Sequence, residues 1–308
     1  MGWAEKSKNK SFVKIRRARL LAILLFILIL IFSIWLIIKF TSTYWFSHRE
    51  RANLLIKDAN DVWILALDNK NDLAYEVKIQ NDLVVNAPGG YGQYPFSGVV
   101  KLANVENDPY LMVKSAAWMI GAPIDDFILS SKDFKSNQKI GIFNILDKKE
   151  SHSNLRYLDR IWWWWKLKQK KSGDFIILKT YFPKDKEDIA SRKIFSPDKF
   201  SQNYEGYFFD SQIRDEDTKV IIKYKHFYKA AENLSRIWRG VGVRVVSIEK
   251  DENAKKICAL IFEDESERKI KNTTHFLSKF DHCDLVNEKV QGSDLVVNLG
   301  EKLEKDWK

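Results

Sequence analysis

The sequence predicts an α/β protein held behind one N-terminal transmembrane helix. Three observations predict it. Residues 20–38 form an uncharged apolar run, residues 53–135 alternate β-rich and helix-like stretches, and a second, more regular alternation begins at residue 219.

The apolar run reads LLAILLFILILIFSIWLII, with Ser33 its only polar residue. At about 1.5 Å per residue it nearly spans a hydrocarbon core of roughly 30 Å. A buried core helix is rarely apolar on every face. A cleaved signal peptide would carry a shorter apolar core and a small-x-small site, whereas Lys39, Phe40, Thr41 and Tyr44-Trp45-Phe46 follow here. The expectation is an uncleaved, single-pass anchor over 20–39. Lys6, Lys8, Lys10, Lys14, Arg16, Arg17 and Arg19 precede it against one acid, Glu5. That excess places residues 1–19 in the cytoplasm and the bulk outside the cell membrane. Trp45 suits the outer interface belt. The net charge of +10 is therefore partly a topology signal, and nucleic acid is not the expected partner. Membrane lipid or a phosphate-rich envelope polymer fits better.

In the first exported segment, 53–212, VWILAL (62–67) and AYEVKI (74–79) are strands parted by the turn cluster DNKND. Pro88-Gly89-Gly90 breaks the next run. DPYLMVKSAAWMIGAP (108–123) is a helix with Asp108 as cap, Pro109 in the first turn and Gly121 at its end. DDFILSS is a strand. The segment ends in the charge-rich YFFDSQIRDEDTK (207–219), which reads as a linker. The second segment, 217–308, reads β-α-β-β-α-β-β, a compact α/β sandwich. Its elements are KVIIKY, KAAENLSRIWRGVG, VRVVSI, ICALIFE, NTTHFLSKF, CDLV and DLVVNLG, with Asn272 or Thr273 capping the second helix.

Catalytic motifs are sparse. There is no GxSxG, HExxH or P-loop, and Gly89-Gly90-Tyr91-Gly92 lacks a phosphate-binding lysine and its spacing. The five histidines are scattered away from metal-ligand spacing. Cys258 and Cys283 permit one disulfide in an exported chain. DRIWWWWKLKQKK (159–171) falls in a helix over 155–171. At about 100° per residue, Leu155, Leu158, Ile161, Trp162 and Trp165 share one face, and Trp163 falls among the charges. Core packing, membrane-surface contact and sugar stacking all remain open for this run. Trp163 and Trp164 join Trp45 as membrane-interface candidates.

NDVWILALDNKNDLAYEVKIQNDLVVNAPGGYG resembles the opening of the LytR–CpsA–Psr domain, in which a strand ends in Ile-Pro-Arg-Asp. SAAWMIGAPIDDFILSS is similar to a later passage of that domain, and residues 219–300 resemble the LytR C-terminal domain. The resemblance implies transfer of phosphate-linked glycopolymer from a polyprenyl-pyrophosphate carrier to peptidoglycan. Arginines would hold the pyrophosphate and carboxylates a magnesium ion. On that basis Asp82 matches the motif's acid, and Asn81 stands where the arginine would be. Asp61 is a second candidate magnesium ligand beside Asp82. Arg156 and Arg160 are candidate substitutes for the missing cations. The reading drawn is a degenerate, non-catalytic relative that binds envelope glycopolymer, peptidoglycan or partners. The alternative is a divergent phosphotransferase that attaches lipid-linked glycopolymer to the cell wall through Arg156, Arg160 or nearby lysines. An envelope adaptor of other ancestry is the third.

Overall fold

The computed structural model describes residues 25–28, 30, 31, 33, 44, 50–58, 61–130, 151–180, 193–252, 257–263 and 270–308. The chain divides into two units, 1–48 and 49–308. In the first, residues 25–28, 30, 31 and 33 are helical. The expected span 20–39 lies mostly outside the described residues, and among those described no helix is long and apolar enough to cross a membrane.

In the second unit, strands β1 (Arg51–Lys57), β2 (Val62–Asp68) and β3 (Leu73–Ile79) form an antiparallel meander. The hairpin β4 (Val84–Ala87) and β5 (Gly92–Pro95) leads into helices α1 (Phe96–Val105) and α2 (Tyr110–Ile120). Asp108 Oδ1 accepts the Tyr110 N–H, and Gly121 closes α2 at φ 66°, as Pro109 and Gly121 foretell. Strand β6 (Asp126–Ser130) adds parallel to β1, and β7 (Ser151–Ser153) adds antiparallel to β6. Helix α3 (Tyr157–Gln169) then leads to β8 (Phe175–Leu178), parallel to β3. The six-stranded order is β7-β6-β1-β2-β3-β8.

Two short helices follow, α4 (Pro197–Tyr204) and α5 (Ser211–Asp215). The stretch read as a linker is therefore structured. Asp210 caps α5 through the Gln212 and Ile213 N–H groups, and Phe208 and Ile213 are buried. The remainder matches the expected order: β9 (Lys219–Tyr224), α6 (Tyr228–Val241), β10 (Arg244–Lys250), β11 (Ala259–Phe262), α7 (Lys271–Asp281), β12 (Asp284–Asn287) and β13 (Leu295–Asn298). A further helix, α8 (Glu301–Trp307), was not foreseen. The five strands lie in the order β10-β9-β13-β11-β12. The cap of α7 is also corrected: the Glu216 carboxylate accepts the Asn272 and Thr273 N–H groups, so the first turn is held from a distant loop.

The six-stranded sheet is drawn from residues 51–178 and the five-stranded sheet from residues 219–298, and residues 49–308 are one compact unit. Helix α2 packs on α6 with almost no space between the backbones. A Cβ built on Gly240 would lie 1.7 Å from the Gly121 carbonyl oxygen. Arg236 of α6 donates to the Trp118 and Met119 carbonyls, at 3.0 Å each, at the end of α2. Burial lowers its pKa to about 10. Trp118 Nε1 donates to Asn233 Oδ1, and Asn233 Nδ2 donates to the Trp307 carbonyl. One contiguous apolar core runs through this seam, from Val77 and Phe96 to Leu234, Trp238 and Trp307.

Candidate functional site

The turn between β1 and β2 is closed by Asp58, whose Oδ1 accepts the Asp61 N–H at 2.6 Å. This sets Asp61 at the start of β2. Strand register places Trp63 opposite Lys78. Lys78 Nζ lies 2.6 Å from Asp61 Oδ2 and 4.9 Å from the centroid of the Trp63 ring. Just beyond β3, Lys193 Nζ lies 2.8 Å from Asp82 Oδ2 and 3.2 Å from Gln80 Oε1. The Asn81 carbonyl accepts the Ser97 N–H at 3.0 Å, which ties this turn to the first turn of α1. Both sequence-predicted acids thus sit at one end of the meander, each on its own lysine.

Arg156 and Arg160 are placed elsewhere. Asn154, just before α3, hydrogen-bonds the Phe127 N–H and the Asp125 carbonyl, and the Asp125 N–H donates to the Asn53 carbonyl. Lys170, just after α3, pairs with Asp72 in the β2–β3 turn. Both ends of α3 are therefore fixed at the strand ends opposite Asp61, roughly 13 Å from Lys57 at about 3.3 Å per residue. The helix joins the two edges of the sheet, and its 13 residues, about 20 Å at 1.5 Å each, are consumed in that crossing. Arg156 is exposed at its start, and Arg160 is buried within it.

That crossing corrects the phase expected for the tryptophan run. Trp163 is 0% exposed and belongs to the packed face with Leu155, Asp159, Arg160, Trp162 and Leu167, so it is not at a membrane interface. Trp162 and Trp163 meet edge to face at 5.5 Å. Of the charged residues at or beside the run, Asp159 and Arg160 lie on the buried side with Trp163, whereas Arg156, Lys168 and Lys171 are exposed. Trp164 is half-buried beneath Lys168 Nζ at 4.8 Å, and Trp165 is exposed beside Lys166 at 5.7 Å. Trp45 lies outside the described residues.

Side-chain alternation puts Trp63, Leu65, Glu76 and Lys78 on one face of the sheet, together with Leu54 and Ile177. Glu76 is 4% exposed and its Oε2 has no hydrogen-bond partner; nor does Trp63 Nε1. Burial alone pushes the Glu76 carboxyl above the usual range. Lys78, Lys193, Trp63 and Glu76 escaped the sequence reading. Only the register of β2 against β3 reveals Lys78 across from Trp63.

Cys258 and Cys283 form the expected disulfide, with Cα atoms 4.6 Å apart at the starts of the paired strands β11 and β12. The magnesium expectation fits the residues poorly. Asp61 and Asp82 each spend an oxygen on an ammonium group, and among the described residues no group of three or more His, Cys, Asp or Glu side chains converges.

No family model and no curated protein sequence matches the chain. Among solved structures it is similar to TagV of Bacillus subtilis, with 9% identity over 51% of this chain and 96% of that one, at a TM-score of 0.38. It is also similar to the LytR-CPS2A-psr family protein YwtF (TagT), solved with bound octaprenyl pyrophosphate lipid, with 16% identity over 50% and 87% of the two chains at a TM-score of 0.36. A transcriptional regulator from Enterococcus faecalis matches 76% of this chain and 97% of its own, at 8% identity and a TM-score of 0.38. The family read in the sequence is thus met again among the matched structures. Likenesses at these scores assign no site and no activity. The structure is a mixed α/β fold with two lysine–carboxylate pairs at one end of its first sheet.

Proposed function

We propose that this chain is a membrane-tethered, extracytoplasmic protein of the cell envelope that binds a phosphate-bearing glycopolymer without transferring it. The apolar run 20–38 behind its basic flank supports the tether, and the sequence resemblance supports the polymer. The observation that carries the reading is the pairing of Asp61 with Lys78 and of Asp82 with Lys193. An ammonium has three N–H donors, and Lys78 gives one to Asp61, which leaves donors for a phosphate oxygen. Neither lysine supplies the planar, bidentate fork that an arginine offers to a transferring phosphoryl group. Asn81 adds no charge, and α3 is anchored with Arg156 and Arg160 at the far end of the strands. The cluster has as many carboxylates as ammonium groups, so it offers phosphate hydrogen bonds more than net charge and is poorly built to stabilise the charge that develops in transfer.

The test uses the full chain with labelled lipid-linked glycan and a peptidoglycan oligosaccharide, with magnesium present. Binding is expected, weakened about tenfold by Lys78→Ala or Lys193→Ala, with no detectable transfer. Robust turnover abolished by Arg160→Ala or Asp82→Ala would establish a divergent transferase instead. The tether is tested separately: Lys302→Cys should react with an impermeant thiol reagent on intact cells, and labelling only after lysis overturns the topology.

A further inference from the structure

Helix α3 shows solvent the side that an amphipathic helix usually buries. At about 100° per residue, Tyr157, Ile161, Trp164, Trp165 and Lys168 fall within an arc of about 100°. That arc faces outward. Tyr157 is 64% exposed, Trp165 is 39% exposed and Lys168 is exposed, while Ile161 and Trp164 are half-buried. The packed side holds Asp159, Arg160, Trp162, Trp163 and Leu167. The helix thus buries a carboxyl and a guanidinium and presents an aromatic stripe. Packing accounts for Trp162 and Trp163 and leaves the stripe unexplained. It stands on another element from the two lysine–carboxylate pairs, so its role is separate from theirs.

The charges beside the stripe narrow the partner. Residues 156–171 contain Arg156, Arg160, Lys166, Lys168, Lys170 and Lys171 against one acid, Asp159. Asp159 and Arg160 are both buried, so the cations that remain at the surface dominate it. Lys168 lies over the Trp164 ring and Lys166 over the Trp165 ring, which sets ammonium groups and indoles on one surface. A second copy of the chain would bring these lysines against their own counterparts. A neutral glycan would cover the rings and make no use of the charge. An anionic bilayer uses both, since aromatic rings settle at headgroup level and lysines reach lipid phosphates. We propose that the outer face of α3 docks on the surface of an anionic membrane. From Tyr157 to Lys168 the stripe runs about 17 Å at about 1.5 Å per residue, so the helix lies along the surface and does not cross it. This goes beyond the tether at 20–38, which would keep the chain near a membrane without choosing the side that meets lipid.

The experiment places the full-length protein in vesicles of phosphatidylcholine, alone or with about 30% phosphatidylglycerol. A nitroxide on Tyr157→Cys reports collisions with a water-soluble nickel chelate. Cys258 and Cys283 are held in their disulfide and do not take the label. Anionic lipid is expected to cut the collision rate about threefold or more and to leave a label on Lys302→Cys unchanged. Lys168→Gln with Lys171→Gln should shift the ratio of docked to free helix about 25-fold toward free, roughly fivefold per lysine. Trp165→Ala should act in the same direction. A Tyr157→Cys label equally open to the chelate in both lipids, on a chain that still floats with the vesicles, overturns the docking and spares the tether. Equal protection in both lipids, untouched by the lysine changes, means that a second copy covers the helix and also overturns the docking. A chain that floats with neither vesicle overturns docking and tether together.

Discussion

Glu304 and Glu76 are both withdrawn from solvent, at 0% and 4% exposure, in two regions that treat a buried carboxyl oppositely. Under α8 the Glu304 carboxylate accepts three backbone N–H groups, from Lys225, His226 and Phe227, at 2.7–2.9 Å. These lie at the entry to α6, where helix geometry leaves donors without partners and the helix dipole favours negative charge. On the first sheet Glu76 has no such partner. Burial alone therefore says little about what a carboxyl does. The donors around it separate a structural carboxyl, satisfied by backbone N–H groups, from one left without partners.

Four experiments break or sharpen that contrast, and the largest effect belongs to the satisfied region. Glu304→Ala should cost about 3–5 kcal/mol in chemical denaturation, since it strands buried N–H groups at the start of α6. A cost below 1 kcal/mol would show that water replaces the carboxylate there. In the same region, reduction of the Cys258–Cys283 disulfide, 25 residues apart, should cost about 3 kcal/mol. Mass spectrometry of non-reduced protein must first find no free thiol. On the first sheet the sign reverses: Glu76→Leu should stabilise by about 1–3 kcal/mol, as a carboxyl without partners is replaced by packing atoms.

The subtlest test is Asp281, an unsatisfied carboxyl at the end of α7. Burial pushes it well above the usual range, and the Trp238 indole, too poorly placed for a full hydrogen bond, offsets this only in part. A folded-state pKa raised above the unfolded value means that the folded protein holds the extra proton. Stability is therefore full below the unfolded pKa near 3.9 and declines as pH rises toward the folded one. Asp281→Asn should flatten the fall in melting temperature above about pH 5. An unchanged slope would mean that Asp281 is solvated.

The sequence was most legible where local rules and tertiary packing agree. Pro109 and Gly121 delimit α2 through backbone geometry alone, and the order of β9 to β13 follows from short apolar runs between turns. The disulfide was readable as a pair, though only the parallel pairing of β11 with β12 brings the two cysteines within reach. Legibility failed where a distant element decides. The phase of α3 is set by the sheet it crosses, so Trp163 is buried and Arg160 with it. The Glu216 cap of α7 crosses 56 residues, beyond any local motif. The candidate site was half legible: Asp61 and Asp82 were found from the resemblance, whereas Lys78, Lys193 and Glu76 depend on register and on the return of the chain at residue 193.

The Gly121–Gly240 contact and the Arg236 clamp also bear on the order of events as the chain folds. Arg236 reaches carbonyls 117 and 118 residues earlier in the chain. Contacts of such separation close late, after the loop between them has lost its freedom. Until α6 arrives, the Trp118 and Met119 carbonyls at the end of α2 lack the donors that satisfy them, so the first half of the chain has to wait for the second to be made.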